Sequence, residues 1–243
     1  MKFTIIIPCY NSEKWIKECI NSALNQTYQD LEIIFVDNES KDNSLKIAKE
    51  IQKDNPKLKI FTAPNLYPHS WSEPVEEALK NTTGDYFTIL GSDDYLKDDY
   101  VEKIVGILKN KTDKIKLLQT PILGIKEDTG NSTGVIKHSY KSLDEFKEKL
   151  FVGCPVNTPS MVFSYELYEK GLLEWNSKEF FGAADYELYF NLANSNLFIY
   201  PFPNWIGYYY RWHGGQATWG MHKESVNYDL LIKEKWREVW KIK

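Results

Sequence analysis

The first hundred residues alternate short, unbroken apolar runs with segments in which apolar residues return every third or fourth position. Phe3–Ile7 is a β-branched run that Pro8 is expected to stop, and Leu31–Val36 is a second that ends at Asp37. Lys59–Thr62 and Tyr86–Leu90 supply two more. Between them, Ser12 stands where it can cap a helix carrying Ile16, Ile20, Ala23 and Leu24. Asp42–Lys53 puts Leu45, Ala48 and Ile51 on one face, and Glu73–Lys80 gives a third helical stretch. Strands that are apolar at every position need cover on both faces. The pattern therefore predicts an α/β fold with a mostly parallel central sheet and helices on both sides.

Beyond residue 100 the pattern is less regular. An apolar segment, Leu117–Ile125, runs into a polar turn at Glu127–Asn131. Ser142–Leu150 and Asp185–Asn194 read as helices, and Pro155–Phe163 as a loop leading into a strand. The last segment, 223–243, is amphipathic, with Val226, Leu230, Trp236, Val239 and Trp240 among Lys and Glu. No repeat or linker interrupts the chain, so a single domain over residues 1–243 is expected.

Composition narrows the function classes. With 42% hydrophobic and 26% charged residues the chain has the make-up of an ordinary globular protein. A net charge of -4 lacks the basic footprint of a nucleic-acid binder. Cys9, Cys19 and Cys154 have neither the number nor the spacing of a disulfide framework or zinc site, and are expected to be buried thiols. The N-terminal apolar run is too short for a secretory signal, and no stretch reaches the ~18 apolar residues of a membrane span. A cytoplasmic protein is expected. Aromatic residues crowd between Phe198 and Trp212, where they could serve a core or a stacking platform.

In parallel sheets ligands bind beyond the carboxyl ends of the strands. Three strand ends there carry polar chemistry: Pro8-Cys9-Tyr10-Asn11, Asp37-Asn38 and Ser92-Asp93-Asp94. Asp93 and Asp94 offer hard oxygen ligands of the kind that hold Mg²⁺ or Mn²⁺ against phosphates; they could equally cap the following helix. Asp37 could accept from a ribose or base edge, or cap the helix after it. Tyr10 could stack on a base.

Taken in order, these segments resemble the family 2 glycosyltransferases, whose fold is the GT-A type. FTIIIPCYNSEKWIKECINSALNQTYQDLEIIFVDNESKDNS matches the family's opening, GDYFTILGSDDYL its acidic metal-binding motif, and Phe181–Leu188 its acceptor-side segment. The likeness ends at Tyr210-Arg211-Trp212-His213. It implies an inverting transfer from a nucleotide-sugar, UDP-sugar favoured, to a glycan or lipid-linked acceptor, with Mn²⁺ or Mg²⁺ as cofactor. Residues 1–100 would form the donor half, 101–222 the acceptor half, and 223–243 a C-terminal helix suited to the inner membrane face or a second subunit. Pro8, Tyr10, Asn11, Asp37, Ser92 and Asp94 would line the donor site, with Arg211 assisting. Asp93 and His213 would hold the metal, and Asp185 would be the general base. Taken alone, Asp185 could also cap its helix, and His213 could be a solvated loop residue.

Three departures from the family pattern stand out. The first Asp of the usual acidic motif is Gly91, the usual Arg-Asn pair of the preceding helix is Val75-Glu76, and the Glu before the base is Ala184. Two alternatives follow: a degenerate sugar-nucleotide-binding scaffold of the same fold, or a sugar nucleotidyltransferase. The latter lacks its Gly-rich loop after the first strand.

Overall fold

A computed structural model describes residues 1–67, 69–110, 115–202, 204–216 and 226–242. The first half follows the apolar pattern: β1 (Phe3–Cys9), α1 (Ile16–Leu24), β2 (Leu31–Asp37), α2 (Ser44–Gln52), β3 (Leu58–Thr62), α3 (Glu73–Asn81) and β4 (Tyr86–Ile89). After it come β5 (Tyr95–Leu96), α4 (Tyr100–Asn110), β6 (Leu117–Gln119), β7 (Ile122–Lys126) and β8 (Ser132–Ile136). The chain continues through α5 (Leu143–Val152), a 3-10 turn at Thr158–Ser160, β9 (Val162–Ser164), α6 (Glu166–Glu169) and α7 (Ser177–Phe180). A second 3-10 turn, Phe181–Ala183, leads into α8 (Ala184–Asn194), then β10 (Ile199–Pro201), β11 (Tyr208–Trp212) and α9 (Tyr228–Trp240).

Seven strands form the main sheet in the order β10-β6-β9-β4-β1-β2-β3. Only the pairings of β9 with β4 and β6 are antiparallel. Along β1 and β2 alternate residues feed two cores. Ile6, Ile34 and Val36 pack on one face with α3, α5 and α8, while Phe3, Ile5, Ile7, Ile33 and Phe35 pack on the other with α1, α2 and α4. This two-sided burial is why these strands are apolar at nearly every position, and the buried Thr4 hydroxyl donates to Glu32 Oε1 at 2.8 Å.

The structure departs from the sequence-based expectations in several places. Pro8 lies inside β1 opposite Val36 rather than ending it. The β4 partner stops at Ile6–Ile89, so the missing Pro8 N–H faces an open edge and costs no ladder bond. Ser12 caps α1 only through its carbonyl, which accepts from Trp15 and Ile16. Leu117–Ile125 divides at Thr120-Pro121 into β6 and β7, which belong to different sheets. Cys9 and Cys19 are buried, but Cys154 is exposed. In the C-terminal segment, residues 223–225 and 243 lie outside the described residues. The helix α9 packs through Ile232 and Trp236, the latter stacked on Phe190 of α8 with centroids 5.6 Å apart. Among the described residues no helix is long and apolar enough to cross a membrane.

A second sheet, β5-β11-β7-β8, stands over the carboxyl end of the first. β5 follows directly on Asp93 and Asp94, and β11 pairs with it antiparallel at Tyr208–Leu96 and Tyr209–Tyr95. The acidic turn and the late aromatic strand are thereby zipped together.

Candidate active site

The turn after β4 places Asp93 partly open to solvent and Asp94 inside. Asp94 is 2% exposed. Its Oδ1 accepts from the Arg211 N–H and its Oδ2 from the Tyr208 hydroxyl, each at 2.8 Å. Tyr208 in turn accepts from the Gly91 N–H at 3.1 Å. Burial, reinforced by the neighbouring Asp93 charge, pushes the Asp94 carboxyl well above the usual carboxylate range. Asp94 therefore faces the protein and shapes the turn through the Arg211 backbone and the Tyr208 hydroxyl it holds.

Gly91 has a local cause. A Cβ built there would stand 2.9 Å from Asp94 Oδ2 and 3.0 Å from Asp93 Oδ1. With Asp94 turned inward, the position that the family fills with Asp has no room for a side chain.

Asp93 Oδ2 meets His213 Nε2 at 2.9 Å. The Gly215 N–H donates to His213 Nδ1 at 3.2 Å, which leaves Nε2 as the protonated nitrogen that donates to Asp93. Arg211 clamps the same turn. Its Nε donates to the Asp93 carbonyl at 2.7 Å, and its guanidinium reaches Glu18 at 2.6 Å and covers the Tyr95 ring. Gln216 bridges the Arg211 carbonyl and the His213 N–H, closing the turn on itself. Ser92 Oγ lies 2.7 Å from Ser12 Oγ, which joins the acidic turn to the β1–α1 loop.

The Asp93–His213 pair suits a divalent cation. Two adjacent ligands, each about 2.1 Å from an octahedral ion, lie about 3 Å apart. One carboxylate and one imidazole leave positions for phosphate oxygens and water. Among the described residues no larger His, Cys, Asp or Glu cluster forms a protein-only metal cage.

Asp37, at the end of β2, is 3% exposed. Its Oδ2 accepts from the Ser40 N–H at 3.1 Å, so it does cap the local turn, but buried Oδ1 has no protein partner. Such an orphan acceptor is costly unless a ligand satisfies it. Tyr10, half exposed, follows β1. Asn11 adopts a φ of 50° and its Oδ1 accepts from Lys41, holding the 39–41 loop beside Asp37. Pro8 is partly buried in β1, behind this rim.

The helix α8 starts one residue before the expected start, at Ala184, so Asp185 lies in its first turn and the residue in the cap position is Ala183. Its Oδ2 accepts from the Thr158 hydroxyl at 2.6 Å and its Oδ1 from the Tyr186 N–H at 2.7 Å. Burial raises its pKa despite the bond from Thr158. Thr158 opens the 3-10 turn that packs on β4 and β11, so the Asp185 segment is joined to the strands that lead into Asp93 and His213.

Several participants escape a linear reading. Tyr208, Glu18, Thr158 and Trp15 each act across dozens of residues. Only the aromatic run ending at Trp212 hinted that β11 was special.

Comparison with known proteins identifies the family and the fold. The family model for glycosyl transferase family 2 matches residues 4–180. An uncharacterized glycosyltransferase of Haemophilus influenzae is 29% identical over 88% of this chain and 67% of its own length. TarS of S. aureus in complex with UDP-GlcNAc superposes with a TM-score of 0.73 at 22% identity, over 93% of this chain and 62% of that one. A mannosyltransferase from Pyrobaculum calidifontis in complex with GDP-Man and Mn²⁺ gives 0.63 at 16% identity, over 97% and 69%. The chain thus spans about two thirds of the length of each of these relatives. The superpositions establish the GT-A fold, and the match over most of the sequence establishes that the chain belongs to glycosyl transferase family 2.

Proposed function

We propose that this chain transfers a sugar from a nucleotide-sugar, a UDP-sugar in the first instance, to a hydroxyl of a glycan or lipid-linked acceptor, with inversion and with Mn²⁺ or Mg²⁺ as cofactor. The observation that carries this reading is the Asp93–His213 pair set beside Arg211 at the mouth of the sheet. The TarS complex with UDP-GlcNAc and the mannosyltransferase complex with Mn²⁺ support it by analogy.

In this reading the orphan Oδ1 of Asp37 accepts from the ribose or base. Asp93 and His213 would hold the cation, which would supply charge neutralisation for the departing diphosphate. Asp185 takes the acceptor proton as the hydroxyl oxygen bonds to the anomeric carbon. The bond from that carbon to the diphosphate oxygen breaks, and its electron pair leaves with the nucleotide. A single base opposite the leaving group gives inversion. A carboxylate held above its usual pKa is the stronger base.

The test is a screen of UDP- and GDP-sugars for metal-dependent release of free nucleotide. Release by the unaltered chain that disappears in Asp93→Ala, with the fold intact, is the expected outcome. No release from any donor, with or without Mn²⁺, would favour a binding scaffold instead.

A further inference from the structure

Beside the Asp93–His213 pair stands a side chain that the proposed chemistry leaves unused. Trp15, at the entrance to α1, packs its indole against the His213 ring with centroids 4.1 Å apart and planes inclined by 34°. Its Nε1 donates to Glu127 Oε1 at 2.8 Å. Glu127 is anchored twice more: its N–H donates to the Trp212 carbonyl at 3.1 Å, and its carboxylate pairs with Lys14. The main chain of Trp15 is fixed by a bond to the Ser12 carbonyl. Three segments distant in sequence, the α1 entrance, the β7–β8 hairpin and the end of β11, therefore close around one imidazole.

We propose that Trp15, held in place by Glu127, is a positioning residue that keeps the His213 imidazole aimed at Asp93 and so sets the affinity of the site for a divalent cation. This rests on the metal reading above. An indole suits the task because it supplies a broad face for the imidazole and an N–H to lock its own rotamer. Only 4% of the His213 side chain is exposed, whereas Asp93 is 26% exposed, and the Trp15 indole forms one wall of that enclosure. Groups that orient a metal-ligating histidine govern metal affinity much as the ligands do. Here the orienting group is a ring face, and the carboxylate lies one step further out.

The test is Mn²⁺ binding to the full chain in saturating UDP, followed by loss of the free-ion EPR signal, beside UDP binding in EDTA by calorimetry. Trp15→Leu is expected to weaken Mn²⁺ binding about tenfold or more while UDP binding in EDTA is unchanged. Trp15→Phe, which keeps a ring face without the N–H, recovers most of the affinity. Unchanged Mn²⁺ affinity in Trp15→Leu overturns the proposal. So does a Trp15→Phe variant no better than Trp15→Leu, or an equal loss of UDP binding in EDTA, which would mark collapse of the whole site. An unaltered chain that binds UDP but no Mn²⁺ overturns the metal reading itself, and this inference with it.

Discussion

Asp93 and His213 are 120 residues apart in the chain and 2.9 Å apart in space. The short strand β5 makes this contact possible, because it turns the acidic loop directly into the partner of β11. Neither residue acquires a functional meaning without the other. Replacing either with Ala should lower metal-dependent release of UDP about a hundredfold or more. Thermal unfolding of Asp93→Ala should stay close to that of the unaltered protein, whereas His213→Ala, which leaves a gap beside Trp15, should melt lower.

Asp185 should show its base role in a pH profile. The Asp185→Asn variant is expected to lose about 10²–10⁴ in transfer rate while UDP binds normally. Because burial raises the Asp185 pKa, transfer should fall with acidity at a pH above the usual aspartate range. The Thr158 hydroxyl favours the ionised form, so Thr158→Val should move that acidic limb to still higher pH. A limb that stays put in Thr158→Val would separate the hydroxyl from the titration.

Restoring the family's acidic residue should not help this protein. Gly91→Asp or Gly91→Ala drives a Cβ into both carboxylates, and overpacking of this kind costs about 1–3 kcal/mol. Both variants should have a lower melting temperature and lower kcat/KM than the unaltered chain. A gain in activity for Gly91→Asp would show that the turn relaxes outward.

Asp37→Asn keeps an oxygen for the Ser40 N–H but removes the buried charge. UDP affinity should drop about tenfold in calorimetry, the value of a hydrogen bond to a charged group, with no loss of stability.

The inward carboxyl of Asp94 makes a stability prediction of a different sign. Its folded pKa lies above its unfolded one, so the native state holds a proton that the unfolded chain releases. Its contribution is therefore present at and below the ordinary aspartate pKa and is lost as pH rises through the raised value. Denaturation midpoints for Asp94→Asn should vary less over that window than those of the unaltered protein. Tyr208→Phe, which strips one bond from Asp94 and one from Gly91, should cost about 1–3 kcal/mol at fixed pH.

Much of the first hundred residues was legible because the signals are local. In β2, buried at every position, two-sided burial shows as a run apolar except for Glu32, whose buried carboxylate is paired with Lys59 and Thr4, and Asp37 marks its end. Pro8 misled because ladder partners are a property of neighbours: β4 ends two residues earlier. The Leu117–Ile125 run misled for a related reason, since hydrophobicity does not say that its halves join different sheets. The order of motifs singled out Asp93, Asp185 and His213 as candidates. Trp15, Thr158 and Tyr208 carry no such signal, because they are ordinary residues until the fold brings them against His213, Asp185 and Asp94.

The β11 ladder also constrains how this sequence could change in length. Side chains alternate along the strand, and Tyr208, Arg211 and His213 reach Asp94 and Asp93 in the present pairing of β11 with Leu96 and Tyr95. One residue added between Tyr208 and His213 would invert every face beyond the insertion and take the imidazole out of the site. The neighbouring hairpin tip at Asp128–Gly130 and the strand β8 are exposed almost throughout and supply none of these contacts. Insertions among natural variants of this chain should therefore gather at that tip and be absent from the strand two positions across the sheet.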